Sequence, residues 1–249
     1  MSSERIDKVF SHEGFGSRKA IKKLLKISDV TVNGTRIQDP GFCVNTDSDE
    51  IAVDGKPIAF RKNFYIMMNK PVDVVSSNKD GLHRTVFDLL DGRFHTPYLE
   101  ENLHLVGRLD IDTEGLLLFT TDGSLTHRIT SPKTHFPKSY FVTLQNEENA
   151  ERRERITKIF AEGMTIPPEG KELAASLKPA ELKWKDGKNC ILTISEGKFH
   201  QVKRMFLEAG NEVAYLKRIS IGPLLLDENL AVGEYRELAQ EEIDSLLNG

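Results

Sequence analysis

Residues 107–123 read GRLDIDTEGLLLFTTDG and carry four carboxylates, Asp110, Asp112, Glu114 and Asp122. The first three alternate with other residues and lead into Gly115. Two chemistries suit such a spacing. A calcium loop wants D-x-[DN]-x-[DN]-G, five further residues, then a bidentate Glu. Here Thr121 stands where that Glu belongs, and Glu114 stands where Asp or Asn is preferred. The following LLLFTT reads as a buried strand rather than an exiting helix, so the calcium reading is strongly disfavoured. The other chemistry is a single carboxylate presented at the mouth of a cleft. Gly107 permits an unusual backbone conformation before Arg108, and Gly115 allows close backbone approach. Asp110 and Asp112 would share a face in extended chain and diverge in a turn. On these residues alone, an acid-rich turn without chemistry is the favoured reading.

Two distant stretches change that balance. ISEGKFHQVKRMF, residues 194–206, ends a strand near Glu196-Gly197 and opens a helix. Lys198, His200, Gln201, Lys203 and Arg204 crowd the opening, and a helix start already favours anions. A basic surface turn, or a histidine that merely caps the helix, would look the same. PKSYFV, residues 137–142, puts Tyr140 at the beginning of a strand, where a lone tyrosine is usually packing.

The elements that must position these residues belong to a chain of 249 residues, 39% hydrophobic, enough for one large domain or two smaller ones. No apolar run approaches a membrane span, and MSSERIDKVF lacks the apolar core of a secretory signal. Only Cys43 and Cys190 are present, so neither a disulfide framework nor a cysteine metal site is expected. The cytoplasm is the expected compartment. At a net charge of −4 the chain is not a general nucleic-acid coat. Any nucleic acid must bind through local patches. GFGSRKAIKKLLK, residues 14–26, is one, with five basic residues and no acid.

That patch reads as a helix capped by Ser17, with Ile21, Leu24 and Leu25 on one face and Arg18, Lys19, Lys22, Lys23 and Lys26 around the other. An earlier helix is expected over roughly 4–12. VTVNGTRI is a hairpin signal around Asn33-Gly34, and IAVDGKPI a second strand and turn. PIAFRKN, residues 57–63, suits a linker. Beyond it, FYIMMNKP reads as a buried strand continued by VDVVSS. ERRERITKIF reads as an amphipathic helix with Ile156, Ile159 and Phe160 inward. LKPAELKW, CILTIS and GPLLLDE are short strands, and EEIDSLL a final helix. Strands and helices interleave without regular β-α alternation, so the expected class is α+β. The expected division is a small domain over 1–59 and a larger mixed-sheet domain over 60–249.

RIDKVF, GFGSRKAIKKLL, VTVNGTRI and DEIAVDG, in that order, resemble the alpha-L RNA-binding motif. The resemblance implies that Arg18, Lys19 and Lys22 grip RNA backbone, which positions a protein without specifying sequence. GRLDIDTEGLLLFTTDG, PKSYFVTL and LTISEGKFHQVKRMF resemble the three motifs of the RNA pseudouridine synthases, in the branch that modifies ribosomal RNA and carries an N-terminal alpha-L motif. NKPVDVVSS and the GEYRELAQEEI tail fit the same branch. HQVKRM, KPAELKW and GEYREL look most like its small-subunit (16S) rRNA enzymes, with the large-subunit (23S) enzymes as the alternative. A non-catalytic RNA-binding assembly factor on the same fold is the other alternative. Two positions depart from the pattern. Asp73 replaces a common Gly after NKP, which puts the tight turn in question. Thr121 replaces a common Asn or Asp.

The resemblance implies isomerisation of uridine to its C-glycoside, with no redox step, no metal and no cofactor. Asp110 falls on the family's essential aspartate, as nucleophile at the sugar or as base toward a sugar proton; the sequence does not choose. Tyr140 falls on the tyrosine that stacks on uracil. Lys203 falls on the cation that pairs with the aspartate, and an opposite charge favours the carboxylate's ionised form. Arg108 and Arg204 are candidates for holding phosphates or the flipped nucleotide. Lys198, His200 and Gln201 are weaker RNA-binding candidates. The expected partner is ribosomal RNA, free or in a partly assembled small subunit, and the protein is expected to be a monomer.

Overall fold

The computed structural model describes residues 3–46, 48–58, 63–131 and 133–248. Most of the 57–63 linker assignment therefore lies outside the described residues. The chain forms two compact units, 1–64 with 90–103, and 65–89 with 104–249.

In the first unit, Ser3–Arg5 is a strand paired with Cys43–Asn45, so the first helix starts later than expected, at Ile6–His12. The second helix, Arg18–Ile27, begins where the sequence places it. Ser17 caps it, its Oγ accepting from Ala20 N at 3.4 Å. Ile6, Val9 and Phe10 pack with Ile21, Leu25, Val30 and Ile51 into a core of their own. Asn33-Gly34 and Asp54-Gly55 both turn with positive φ, as two-residue hairpins require. They join Val30–Val32 to Thr35–Arg36 and Ile51–Val53 to Lys56–Ile58 in one four-stranded sheet. A helix not anticipated from sequence, Pro97–Asn102, belongs to this unit, and its Tyr98 ring stacks on His12 at 3.6 Å between centroids.

The second unit is built on a nine-stranded sheet. Its main path runs Glu181–Trp184, Asn189–Ile194, Lys138–Leu144, Val213–Ile221, Glu114–Thr120, Tyr65–Lys70 and Tyr235–Glu237. Val213–Ile221 and Glu114–Thr120 are parallel, while the neighbouring pairs are antiparallel. The architecture is the expected α+β class, with a mixed sheet. Met67, Leu116, Leu118, Leu125, Ile129, Ile221 and Leu246 share one core. The helix Ala150–Glu162 buries Ile156 and Phe160 but leaves Ile159 half-exposed.

Several elements differ from the sequence reading. VDVVSS does not prolong its strand: Asp73 turns the chain at φ +61°, and Val75 makes a single bridge, to Thr85. GPLLLDE contributes only Leu224–Leu225. The helix Gly123–Thr130 and the long strand Val213–Ile221 were not anticipated.

One contact sets the geometry between the two parallel strands. Gly115, at φ +102°, lies directly against Arg218, and a Cβ there would stand 2.2 Å from the Arg218 carbonyl oxygen. Backbone cannot yield as a flexible side chain can. Gly115→Ala is therefore expected to destabilise the protein by about 3 kcal/mol or more, strain and overpacking combined. Denaturant unfolding would show a lowered midpoint.

Candidate active site

The loop between the strands His104–Leu105 and Glu114–Thr120 carries Asp110 and Asp112, and Glu114 begins the strand that follows. The loop is a turn, closed by Thr113 N donating to the Asp110 carbonyl at 3.1 Å. Its backbone is braced from below. Lys70, at the end of its strand and without solvent exposure, aims Nζ into the loop. Nζ donates to the carbonyls of Asp110 and Thr113 at 3.0 Å and Pro71 at 2.9 Å, with Ile111 at 3.4 Å. Asp73 N donates to the Ile111 carbonyl at 2.9 Å, so the turn after NKP survives the missing glycine by placing Asp73 in the left-handed region. Ser76 Oγ donates to the Leu109 carbonyl at 2.8 Å. Arg218, 2% exposed, donates Nε to the Leu116 carbonyl at 2.7 Å and reaches the Arg108 carbonyl at 3.4 Å. Lys70, Ser76 and Arg218 were not singled out in the sequence. For Lys70 and Arg218 the signal is a cation within a strand.

With the carbonyls turned inward, the acid side chains turn outward and separate into roles. Lys203, on the helix Gln201–Glu208, brings Nζ to 3.1 Å from Asp110 Oδ2 and 2.6 Å from Asp112 Oδ1. The lysine thus bridges two acids, where the sequence suggested one partner. Burial works against the charge of Lys203, yet hydrogen bonds and charge from Asp112 and Asp110 outweigh it and raise its pKa. Burial likewise pushes Asp112 up, but the Lys203 hydrogen bond and charge bring it below the usual carboxylate range. Glu114 begins the strand and accepts from the Tyr215 hydroxyl at 2.6 Å. Burial first, then that carboxylate, raises the tyrosine's pKa. Asp122 caps the helix Gly123–Thr130, accepting from Ser124 N at 2.9 Å and Leu125 N at 3.2 Å.

Asp110, Tyr140 and Lys203 line one cleft with Arg108, Lys198, His200 and Gln201. Tyr140 is 8% exposed, in the strand Lys138–Leu144. Arg108 and Lys198 are exposed. His200 sits just before its helix in a left-handed conformation at φ +50°. In the first unit, Arg18, Lys19 and Lys22 are exposed on their helix, opposite buried Ile21 and Leu25.

Two expectations are corrected. Arg204 does not offer its guanidinium to a phosphate. It is 4% exposed, with Nη1 donating to Phe199 O at 3.0 Å and Nη2 to the carbonyls of Pro167 and Leu173. Gln201 is also buried. Its Oε1 accepts from Lys198 N at 2.9 Å and its Nε2 donates to Glu196 at 3.3 Å, which ties the turn rather than RNA. Among the described residues, no group of three His, Cys, Asp or Glu is placed to hold a metal ion. No helix there is long and apolar enough to cross a membrane.

A mixed-sheet domain with a carboxylate, a lysine and a tyrosine in one cleft, joined to a unit with a basic helix, defines an enzyme of nucleic-acid type. A family model described as RNA pseudouridylate synthase matches residues 64–208, and an S4 domain model matches residues 4–51. The chain belongs to the RNA pseudouridylate synthase family, with an N-terminal S4 domain. It is 43% identical to an uncharacterised RNA pseudouridine synthase, YtzG, of Bacillus subtilis, over 97% of this chain and 98% of that one. It is 41% identical to ribosomal small subunit pseudouridine synthase A of Escherichia coli K12, over 98% of this chain and 100% of that one. A solved pseudouridylate synthase structure, 40% identical, aligns with a TM-score of 0.65 over 97% of this chain and 99% of that one.

Lys70 yields a prediction. Burial lowers its pKa to about 8, and the nearby Asp112, Asp110, Glu114 and Asp73 oppose the shift. As pH rises past 8 the folded chain loses this proton, while the unfolded chain holds it to near 10.5. In that window the unfolded state binds more protons, so this group's contribution to stability rises with pH. Between pH 8 and 10.5 the wild-type protein should gain about 1–3 kcal/mol over Lys70→Met. At pH 7 the same variant should still be less stable, by about 1–3 kcal/mol, because buried carbonyls lose their donor. Urea unfolding of both proteins across pH checks both statements.

Proposed function

We propose that the protein converts one uridine of small-subunit (16S) ribosomal RNA to pseudouridine, with Asp110 as the residue that acts on the sugar. The observation that carries this reading is the contact of Lys203 Nζ with Asp110, in the cleft that Tyr140 also lines. In the reaction the glycosidic bond breaks, the uracil turns over, and its carbon 5 joins the anomeric carbon. Asp110 would act as nucleophile at the anomeric carbon or as base toward a sugar proton. Tyr140 offers a ring face for the uracil and a hydroxyl near carbon 5. Lys203 fixes the carboxylate and balances its charge. The small-subunit target is supported by the near full-length similarity to enzymes named for that subunit.

The target base must leave its stack to reach this cleft, which costs a few kcal/mol, less where the RNA is already irregular. Arg108 and Lys198, exposed at the cleft, suit the flanking phosphates. Arg18, Lys19 and Lys22 suit further backbone contacts. The division proposed for these roles is an RNA-gripping domain over 1–59, whose compact unit also takes in 90–103, and a catalytic domain over the rest of 60–249. Recognition by shape and single-stranded elements suits either free rRNA or a partly assembled small subunit.

With rRNA carrying tritium at uracil carbon 5, Asp110→Asn should abolish tritium release while RNA affinity and melting temperature hold. Lys203→Met should slow release about 10- to 100-fold, the cost of a lost charged hydrogen bond. Asp112→Asn should cost less than either. Equal loss from the two aspartate variants, both folded, would overturn the assignment of Asp110. Neutralising Arg18, Lys19 and Lys22 together should weaken binding alike across RNA sequences. It should also lower the salt slope of log K by about 2–3, roughly one contact's worth per residue. Filter binding at several salt concentrations measures this.

A further inference from the structure

The segment 167–173 has no role in the chemistry described so far, yet it is fastened beside the cleft. Glu169 and Glu172 exchange backbone hydrogen bonds at 3.0 and 2.9 Å around Gly170, which turns at φ +58°. Arg204 clasps both ends of the turn through the Pro167 and Leu173 carbonyls. The consequence is the placement of one side chain. Glu169 Oε1 lies 3.0 Å from His200 Nδ1, and its other oxygen lies 3.8 Å from Arg204 Nε. The imidazole is held from a second side by the Phe199 ring, stacked at 3.7 Å between centroids. A carboxylate on Nδ1 calls for a proton there, which fixes the ring's orientation. The ring's other nitrogen, Nε2, then faces Asp110 Oδ2 at 4.0 Å.

We propose that Glu169 and His200 form a positioning pair for Asp110. Lys203 holds Asp110 Oδ2 at 3.1 Å, and His200 Nε2 faces the same oxygen. No hydrogen bond reaches Oδ1 among the described residues. With Nδ1–H given to Glu169, Nε2 attracts this oxygen only as the N–H of an imidazolium; in that form it and the Lys203 ammonium bracket Oδ2 and set the carboxylate's rotation, so Oδ1 is the oxygen turned to the sugar. The left-handed backbone of His200 is consistent with this. Such a conformation is unfavourable for a residue with a Cβ and persists where the surroundings enforce it. Arg204 serves the same end at one remove, by docking the turn that carries Glu169. This inference rests on the assignment of Asp110 made above. It replaces an RNA-binding role for His200 with one exerted through the carboxylate.

The test uses the full-length protein and a small-subunit rRNA transcript tritiated at uracil carbon 5. The single-turnover rate at saturating enzyme and the RNA dissociation constant are measured separately. His200→Asn and Glu169→Ala should each slow the chemical step about 10- to 100-fold, the scale of a misplaced reacting group. RNA affinity should stay within about twofold, since neither residue is assigned a phosphate. His200→Gln carries an amide nitrogen close to the position of Nε2 and should recover part of the rate that His200→Asn loses. The double variant of Glu169→Ala and His200→Asn should be no slower than His200→Asn alone, because the pair acts as one unit. Melting temperatures accompany each variant. A weakened affinity with an unchanged saturated rate would make His200 an RNA contact and overturn the proposal. Additive losses, or a His200→Asn rate equal to wild type, would overturn it too. If wild type isomerises and Asp110→Asn does not, those failures fall on the pair alone. If wild type released no tritium, the functional reading and this proposal would fall together.

Discussion

A single buried ammonium organises the site. Lys70 has no solvent exposure, and its Nζ finds its partners in backbone carbonyls of the 110–113 loop and of Pro71. A charge taken out of water must be met by converging dipoles or opposite charges. Here the loop supplies the dipoles by pointing carbonyls inward. The direction of its side chains follows, and Asp110 and Asp112 face outward, where Lys203 meets both. The neighbouring supports depend on the same geometry. Lys70 pairs with Gly115 across the sheet, and Gly115 lies flat against Arg218, whose guanidinium holds the carbonyls before and after the loop.

The acidic loop therefore lies between two lysines that do different work. Lys70 is beneath it, and burial brings the amine to about pH 8 despite four nearby carboxylates. Lys203 is above it at the cleft, and the carboxylates win over burial there, so the ammonium is favoured. One cation shapes the backbone; the other faces the side chains. In the proposed reaction the second touches the Asp110 carboxylate itself, while the first meets only its backbone carbonyl and its field. The first ties the loop's carbonyls to the end of its strand.

The separate roles of the acids were not readable from their spacing. GRLDIDTEG could have been an inert turn, and Asp110 stood out only through the likeness of three distant stretches to one family. Asp122 became a helix cap because Gly123–Thr130 is a helix, which that reading lacked. Lys70 was visible in FYIMMNKP but looked like the flank of a turn. Only the fold shows that the strand's end lies under the loop, some forty residues away in sequence. Arg204 departs from the expectation because a cation at a helix start need not face solvent. Helical spacing decides: Gln201, Val202, Arg204, Met205 and Phe206 form the buried side, and Lys203 lies off it. The strand Val213–Ile221 escaped notice because Lys217 and Arg218 interrupt its apolar pattern. In the sheet Arg218 is buried and satisfied by backbone on the adjoining strand and loop. By contrast, the basic helix Arg18–Ile27 was legible, since its cap, apolar face and hairpin neighbours are all local features.

The chain joins an S4 domain to a pseudouridylate synthase domain whose braced loop carries Asp110 into the cleft. The proposed target of its chemistry is one uridine of the small-subunit RNA. Mapping pseudouridines in both ribosomal RNAs, from cells lacking the protein and from their parent strain, tests that claim most directly. One site should disappear from the small-subunit RNA while every large-subunit site stays. Loss of a large-subunit site with the small-subunit RNA unchanged, or no loss in either, would contradict the claim.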